Sequence, residues 1–221
     1  MRLDKLRTVE SLADQLDREL SWRRKELMQI RMAARESAEA GGDKVVLRGS
    51  ILIIYANWEG FIRQAANFYV GFVFNQKLPL TKLYSGFWAI DLVEEFNRIK
   101  QTEKKRRRMD FVDQLLNRRD NLEHSKYVDK LNKRYINTES NLNIDRFKDI
   151  IAILGLRINL SLGDTMIDLN LLSPRNEIAH GGKRTVSTED VLEICNYVMG
   201  QMENFYNGVL EAAEKKYYIV S

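Results

Sequence analysis

The chain has 221 residues, of which 44% are apolar, 30% charged and 10% aromatic, and its formal net charge is +4. This composition is typical of one folded globular domain and excludes a disordered protein. One cysteine excludes an internal disulfide, and two histidines provide no recognisable cluster of zinc ligands, so we expect no metal site.

The first part of the sequence predicts two long helices. Leucines recur every three or four residues among charged side chains, which predicts a helix over 3–39 that ends at Gly41-Gly42. The next segment, about 43–75, is apolar on nearly every side and predicts a central core helix.

Charged residues interrupt this apolar segment at Arg48, Glu59 and Arg63. Its charge-free runs are therefore shorter than the roughly 18 apolar residues that a membrane span needs. The first residues also lack the apolar region of a signal peptide. We expect a soluble, cytoplasmic protein with no membrane partner.

The middle of the chain predicts shorter helices and a loop. Helical spacing of apolar residues recurs over 86–100, around 111–116 and over 145–154. Residues 132–143 are polar and rich in Asn and Thr, which is typical of a loop. The alternating segment 156–162 is the only stretch that suits a strand.

The excess positive charge lies in this middle region. Residues 98–134 contain 13 Lys or Arg and 6 Asp or Glu, which leaves the rest of the chain with a net charge of −3. The segment includes five consecutive basic residues, Lys104, Lys105, Arg106, Arg107 and Arg108. Such a run is either a solvated helix end or loop, or a surface that contacts the phosphates of nucleic acid.

The sequence is helical again from Asp164. Pro174 lacks a backbone donor, so we expect a kink or a restart of the helix just before Arg175. Gly181-Gly182 then ends this helix. A last helix begins after Ser187, whose side chain can cap the first turn, and continues to about residue 215.

The whole pattern predicts an all-α fold, a bundle of about five to seven helices with a long N-terminal helix. We divide it into an N-terminal helical extension, residues 1–42, and a helical domain, residues 43–221, which fold as one unit.

The two histidines are the main candidates for catalysis, because no phosphate loop, dinucleotide fingerprint, nucleophile elbow or paired-carboxylate helix occurs. His180 follows Arg175 by five positions and Asn176 by one helical turn. The same Arg–His spacing occurs at Arg119 and His124. Spacing alone therefore leaves two interpretations of each pair: a His at a helix end with a solvated Arg, or a catalytic pair.

The context of His180 resembles a known family. Residues 175–181, Arg-Asn-Glu-Ile-Ala-His-Gly, resemble the Arg-Asn-x-x-x-His-Gly motif of the HEPN superfamily, many of whose members are RNases. Residues 55–61, Tyr-Ala-Asn-Trp-Glu-Gly-Phe, are similar to the Trp-Glu-Gly-Phe helix of a bacterial branch that includes RiboL-PSP-HEPN-like proteins. Residues 136–142 and 151–156 resemble that branch's Thr-x-Ser-Asn-Leu and Leu-Gly-Leu elements. Three ordered motifs favour His180 as the catalytic histidine.

The resemblance implies a helical bundle that dimerises with two Arg–His motifs facing one cleft. It also implies a metal-independent endoribonuclease with no cofactor. His180 would transfer a proton while the RNA 2′-hydroxyl attacks the adjacent phosphate, and Arg175 would stabilise the phosphate charge. The products would carry 2′,3′-cyclic phosphate and 5′-hydroxyl ends. Asn176 would orient a phosphate or His180.

Two further groups of residues have open interpretations. Glu59 lies four residues before Arg63, which predicts an ion pair within the helix; the resemblance instead implies that it faces the cleft and helps to position His180. The basic residues 104–108 would contact RNA, and His124 lies in the same basic segment.

We therefore expect a ribonuclease that acts on RNA as a homodimer, as a toxin or an antiphage defence effector with a cognate antitoxin or defence-system partner. The alternative is a catalytically inactive HEPN-like module that binds RNA, nucleotide or a partner protein, because members of one fold can keep or lose a site.

Overall fold

A computed structural model describes residues 5–39, 44–101, 104–121, 135–138, 140–159 and 166–220. Over these residues the chain forms seven α-helices and no strand beyond an isolated bridge between Leu83 and Ile219. The helices are α1 (Val9–Glu39), α2 (Lys44–Asn75), α3 (Ser85–Lys100), α4 (Lys105–Asn121), α5 (Ile144–Ile153), α6 (Ser173–Ala179) and α7 (Thr188–Glu214). The predicted all-α fold with a long N-terminal helix is confirmed.

The core is built around α2, which contacts α1, α6 and α7. Trp58, Phe61 and Tyr69 of this helix are 0% exposed, and each such burial contributes about 1.5–3 kcal/mol to folding. By length and composition α2 could also cross a membrane, but 56% of its most apolar window is buried inside the fold. It is therefore the predicted core helix.

Helix α1 begins later than predicted. The Ser11 N–H donates to Thr8 Oγ1 at 3.2 Å and the Thr8 N–H donates to Ser11 Oγ at 3.1 Å. These reciprocal bonds cap the helix at Val9, so the prediction of a helix from residue 3 is wrong for residues 6–8. Leu6 precedes the helix and is nevertheless 1% exposed.

A buried arginine joins α1 to α2. The Arg23 guanidinium donates to Glu19 Oε2 at 3.2 Å and to the Asn57 carbonyl at 3.3 Å, and Arg23 is 8% exposed. A Cβ atom on Gly60 would lie 2.7 Å from Arg23 Nη1. The glycine of the Trp-Glu-Gly-Phe segment therefore makes room for the polar contact between these helices.

The middle of the chain differs from the predictions in two places. Helix α4 extends beyond the predicted segment 111–116 at both ends. Its first turn contains most of the basic run, whose side chains are exposed. Residues 156–159 form no strand, so that interpretation is wrong for the described part of 156–162. Residues 135–138 and 140–143 are outside helices, as the predicted loop requires.

Pro174 lies in the first turn of α6. Ile167–Leu172 forms a π-helix that continues directly into α6. At the junction the Ser173 N–H donates to the Asp168 carbonyl, a bond that spans five residues. The α-helix α6 therefore starts directly before Pro174, as the predicted restart just before Arg175 requires, although the segment is helical on both sides of this junction.

The predicted cap of the last helix is confirmed. The Asp190 N–H donates to Ser187 Oγ at 3.1 Å, and the Ser187 N–H donates to Asp190 Oδ2 at 2.9 Å. These two bonds form a capping box at the start of α7.

The packing of α3 on α5 predicts the effect of a single methyl group. A Cβ atom on Gly86 would lie 1.8 Å from the Ile153 carbonyl oxygen. We expect Gly86→Ala to lower the free energy of unfolding by about 1–3 kcal/mol, because the backbones must move apart. Chemical denaturation followed by circular dichroism measures this change.

Gly200→Ala is the matched control, because no heavy atom lies within 4 Å of the added Cβ at this position in α7. It should raise stability by up to about 1 kcal/mol through helix propensity. Equal stability of Gly86→Ala and wild type would contradict the close approach of α3 and α5.

Candidate functional site

The site lies where α6 packs against α2. Arg48 Nη2 donates to the Gly182 carbonyl at 2.6 Å, and the Arg175 guanidinium lies 4.5 Å from the centroid of the Tyr55 ring. Arg48 and Tyr55 are seven positions apart along α2. Their partners, Gly182 and Arg175, are also seven positions apart, but in the opposite chain direction. The two segments therefore run antiparallel.

Tyr55 is the residue at the centre of this packing. It is 2% exposed, and its hydroxyl oxygen accepts the Leu142 N–H at 2.7 Å. Burial raises the pKa of the Tyr55 phenol to about 12 and the Glu59 carboxylate adds to the rise, whereas the Leu142 N–H and the Arg175 charge oppose it. The phenol is therefore neutral at physiological pH.

The Thr-x-Ser-Asn-Leu segment forms a turn on the same face of α2. Thr138 is 0% exposed, and its hydroxyl donates to Glu59 Oε1. The Asn141 N–H donates to the Thr138 carbonyl at 3.0 Å, and Ser140 has a φ of +56°. The Leu142 N–H then reaches Tyr55. Both ends of the turn are therefore tied to α2.

The Glu59 carboxylate contacts two side chains, those of Thr138 and Arg63. It accepts the Thr138 hydroxyl, and its Oε1 lies 4.0 Å from Arg63 Nη1. The structure thus contains the ion pair within the helix. No contact among the described residues joins Glu59 to His180, and a role for Glu59 in positioning His180 stays a prediction.

Arg175 and Asn176 form a pair at the start of α6. Arg175 Nη1 donates to Asn176 Oδ1 at 2.7 Å, and both residues are half-buried. The guanidinium thus lies over the Tyr55 ring and donates a hydrogen bond to Asn176. Its orientation is defined by these two contacts.

His180 is exposed at the C-terminal end of α6. The Gly182 N–H donates to the Glu177 carbonyl at 2.8 Å, the Gly181 N–H donates to the Ile178 carbonyl at 3.1 Å, and Gly181 has a φ of +82°. This is the Schellman motif, which requires the glycine after His180. The imidazole makes no hydrogen bond to a described residue.

The predicted basic residues lie on another helix. Lys105 to Arg108 are in the first turn of α4, directly after Lys104, and α4 contacts α3 and Leu80–Lys82, whereas Arg175 is in α6, which contacts α2. His124 is outside the described residues. Within the described ranges, no group of three His, Cys, Asp or Glu side chains could hold a metal ion.

Tyr55 is the site residue that the sequence analysis missed. The signal was its place four positions before Glu59, on one face of α2 and within the Trp-Glu-Gly-Phe segment. In the structure Tyr55 contacts Leu142 of the Thr-x-Ser-Asn-Leu segment and Arg175 of the Arg-Asn-x-x-x-His-Gly motif. Three segments that are distant in sequence therefore converge on one side chain.

This arrangement suits the binding of an anion. A guanidinium whose orientation is defined presents its remaining N–H groups to a phosphate or carboxylate. An imidazole lies five residues further along the chain, at the end of the same helix. The site thus combines a positioned cation with an exposed imidazole.

Comparisons with known proteins support one family. The HEPN_MAE_28990-like HEPN family matches residues 12–218, a range that begins within α1 and ends after α7. No curated protein and no solved structure matches the chain. HEPN domains have RNase-type or nucleotide-binding functions. With a match over most of its length and the three motif segments meeting at one site, the chain belongs to the HEPN family.

Proposed function

We propose that the protein is a metal-independent endoribonuclease that acts as a homodimer, with Arg175 and His180 as its catalytic residues. The observation that supports this most is the convergence at Tyr55, which presents a positioned guanidinium on the helix that ends at His180. On a helix, five residues correspond to a rise of about 7.5 Å. Side chains of this length can approach one phosphodiester from that separation.

The reaction follows from these groups. An imidazole removes the proton of the 2′-hydroxyl, the oxygen attacks the adjacent phosphorus, and the bond from phosphorus to the 5′-oxygen breaks. The departing 5′-oxygen takes up a proton. Arg175 stabilises the extra charge on the phosphate oxygens in the transition state. The products are a 2′,3′-cyclic phosphate and a 5′-hydroxyl.

One imidazole cannot act as base and acid in the same step, which favours a second copy of the chain. Since His180 is exposed and makes no hydrogen bond to a described residue, it is available to a cleft shared by two copies. A twofold axis beside α6 would bring two His180 side chains to one substrate.

The exposed face of α2 supports the dimer. Its residues are apolar or small and share one side of the helix: Val45, Val46, Gly49, Leu52, Ile53 and Ala56. Val45 is 78% exposed and Ile53 is 44% exposed. This face lies beside the contact with Arg175, and open space at the Cβ position of Gly49 permits close approach. We assign it to contact with the second copy.

The alternative function is a catalytically inactive module that binds RNA or a nucleotide. One observation favours it: contacts hold Arg175, whereas no described residue orients the imidazole of His180. A role as a toxin or antiphage effector, with an antitoxin or defence-system partner, is supported only by the resemblance of the motifs. A cytoplasmic location is supported only by the charges that interrupt the apolar segment at Arg48, Glu59 and Arg63.

The nuclease proposal predicts the loss of cleavage in two variants. We expect wild type to cut cellular RNA in the presence of EDTA, and Arg175→Ala and His180→Ala to reduce the rate at least about a hundredfold, as for removal of a transition-state contact. Denaturing gel electrophoresis of labelled RNA measures the rates.

Arg157→Ala is the matched control, because this exposed arginine also lies over a tyrosine, 3.9 Å from the centroid of Tyr217. It should cleave at the wild-type rate, as should His124→Ala. RNA binding without cleavage, in EDTA and with divalent metal alike, would favour the inactive module. Loss of activity in His124→Ala but not in His180→Ala would exclude our assignment of the site.

The dimer has its own test. We expect Ile53→Asp to be monomeric at micromolar concentration and to lose RNA cleavage, because a carboxylate in an apolar interface is desolvated without a partner. Val93→Asp, at an equally exposed apolar position on α3, 47% exposed, should remain dimeric. Light scattering distinguishes the two states. A wild-type protein that is active as a monomer would contradict the shared cleft.

A further inference from the structure

We infer that Tyr55 is a positioning residue, whose ring sets the plane in which the Arg175 guanidinium meets a phosphate. This inference rests on the proposed ribonuclease function. It adds a residue that acts on the reaction through Arg175 and does not itself touch the substrate.

The ring contact determines the tilt of the guanidinium. The Arg175 guanidinium lies 4.5 Å from the centroid of the Tyr55 ring, within the range of a cation–π contact. A guanidinium can stack on an aromatic ring and keep the N–H groups of its edge for hydrogen bonds. Because Tyr55 is 2% exposed, surrounding atoms hold its ring in place.

Asn176 determines the remaining rotation. Arg175 Nη1 donates to Asn176 Oδ1 at 2.7 Å, so one corner of the guanidinium edge is occupied. The other N–H groups of the guanidinium can donate to a ligand. A planar edge of this kind matches two oxygens of one phosphate, provided that its plane is held. The Tyr55 ring holds the plane of the Arg175 guanidinium.

The hydroxyl of Tyr55 ties the ring to the rest of the site. It accepts the Leu142 N–H at 2.7 Å, and the turn that contains Leu142 is anchored where the Thr138 hydroxyl donates to Glu59. Glu59 therefore supports Arg175 through this turn and Tyr55. This route explains a buried carboxylate at this position without a contact to His180.

Tyr69 provides a comparison on the same helix. Its ring is also buried, at 0% exposure, but its hydroxyl has no hydrogen-bond partner among the described residues. Tyr69→Phe removes a buried hydroxyl that makes no hydrogen bond to a described residue. Tyr55→Phe removes one that accepts a buried N–H while it keeps the ring beneath Arg175.

The first test measures the contact without any activity. Aromatic ring currents shift the Arg175 side-chain proton resonances upfield in an NMR spectrum, and their loss in Arg175→Lys assigns them. We expect the upfield shift in wild type and in Tyr55→Phe, and its loss in Tyr55→Leu. Resonances at ordinary arginine positions in wild type would overturn the inference, and this result does not depend on whether Tyr55→Leu folds.

The second test measures the consequence for cleavage. We expect Tyr55→Leu to lower kcat by about tenfold, in line with a lost cation–π contact, with KM within about twofold of wild type. Tyr55→Phe should restore most of kcat, and Tyr69→Phe should match wild type. An unchanged kcat in a folded Tyr55→Leu, verified by circular dichroism, would overturn the positioning role.

The two tests separate this inference from the function on which it rests. An upfield shift that depends on Tyr55, in a protein that cuts no RNA, supports the contact and contradicts the ribonuclease. Cleavage that depends on Arg175, in a protein without the shift, supports the ribonuclease and overturns the role of Tyr55.

Discussion

The contact between the Arg175 guanidinium and the buried Tyr55 ring is the interaction on which the site depends. It fixes α6 against the core helix α2, with the hydrogen bond from Arg48 to the Gly182 carbonyl at the other end of the same packing. A cation over a buried ring retains an exposed edge, so one interaction serves both stability and ligand binding. The orientation of α6 in turn places His180 at a helix end, on the surface.

Small residues determine how closely the helices approach. Gly60 accommodates the buried Arg23 between α1 and α2, and Gly86 lies against the Ile153 carbonyl between α3 and α5. Gly181 adopts a φ of +82° and ends α6 directly after His180. Each of these glycines is thus required for a different physical reason. Two of them, Gly60 and Gly181, lie within the motifs that carry the family resemblance.

Local signals were sufficient to predict much of the fold. Apolar composition predicted α2, Ser187 and Asp190 predicted the start of α7, and the double glycine predicted the end of α6. Pro174 predicted the start of α6, whereas the π-helix Ile167–Leu172 that precedes it was not predicted. Tyr55 was missed because its importance arises from Arg175 and Leu142, which are more than 80 positions away along the chain.

The chemistry of the cut ends tests the central claim most directly. A labelled RNA is incubated with the protein in EDTA, beside the same RNA with one 2′-deoxynucleotide at the cleavage position, and the products are analysed by mass spectrometry. Attack by the 2′-hydroxyl predicts a 2′,3′-cyclic phosphate on the unmodified RNA and no cut at the deoxynucleotide. Products with 3′-hydroxyl and 5′-phosphate ends, or an equal cut at the deoxynucleotide, would contradict the account.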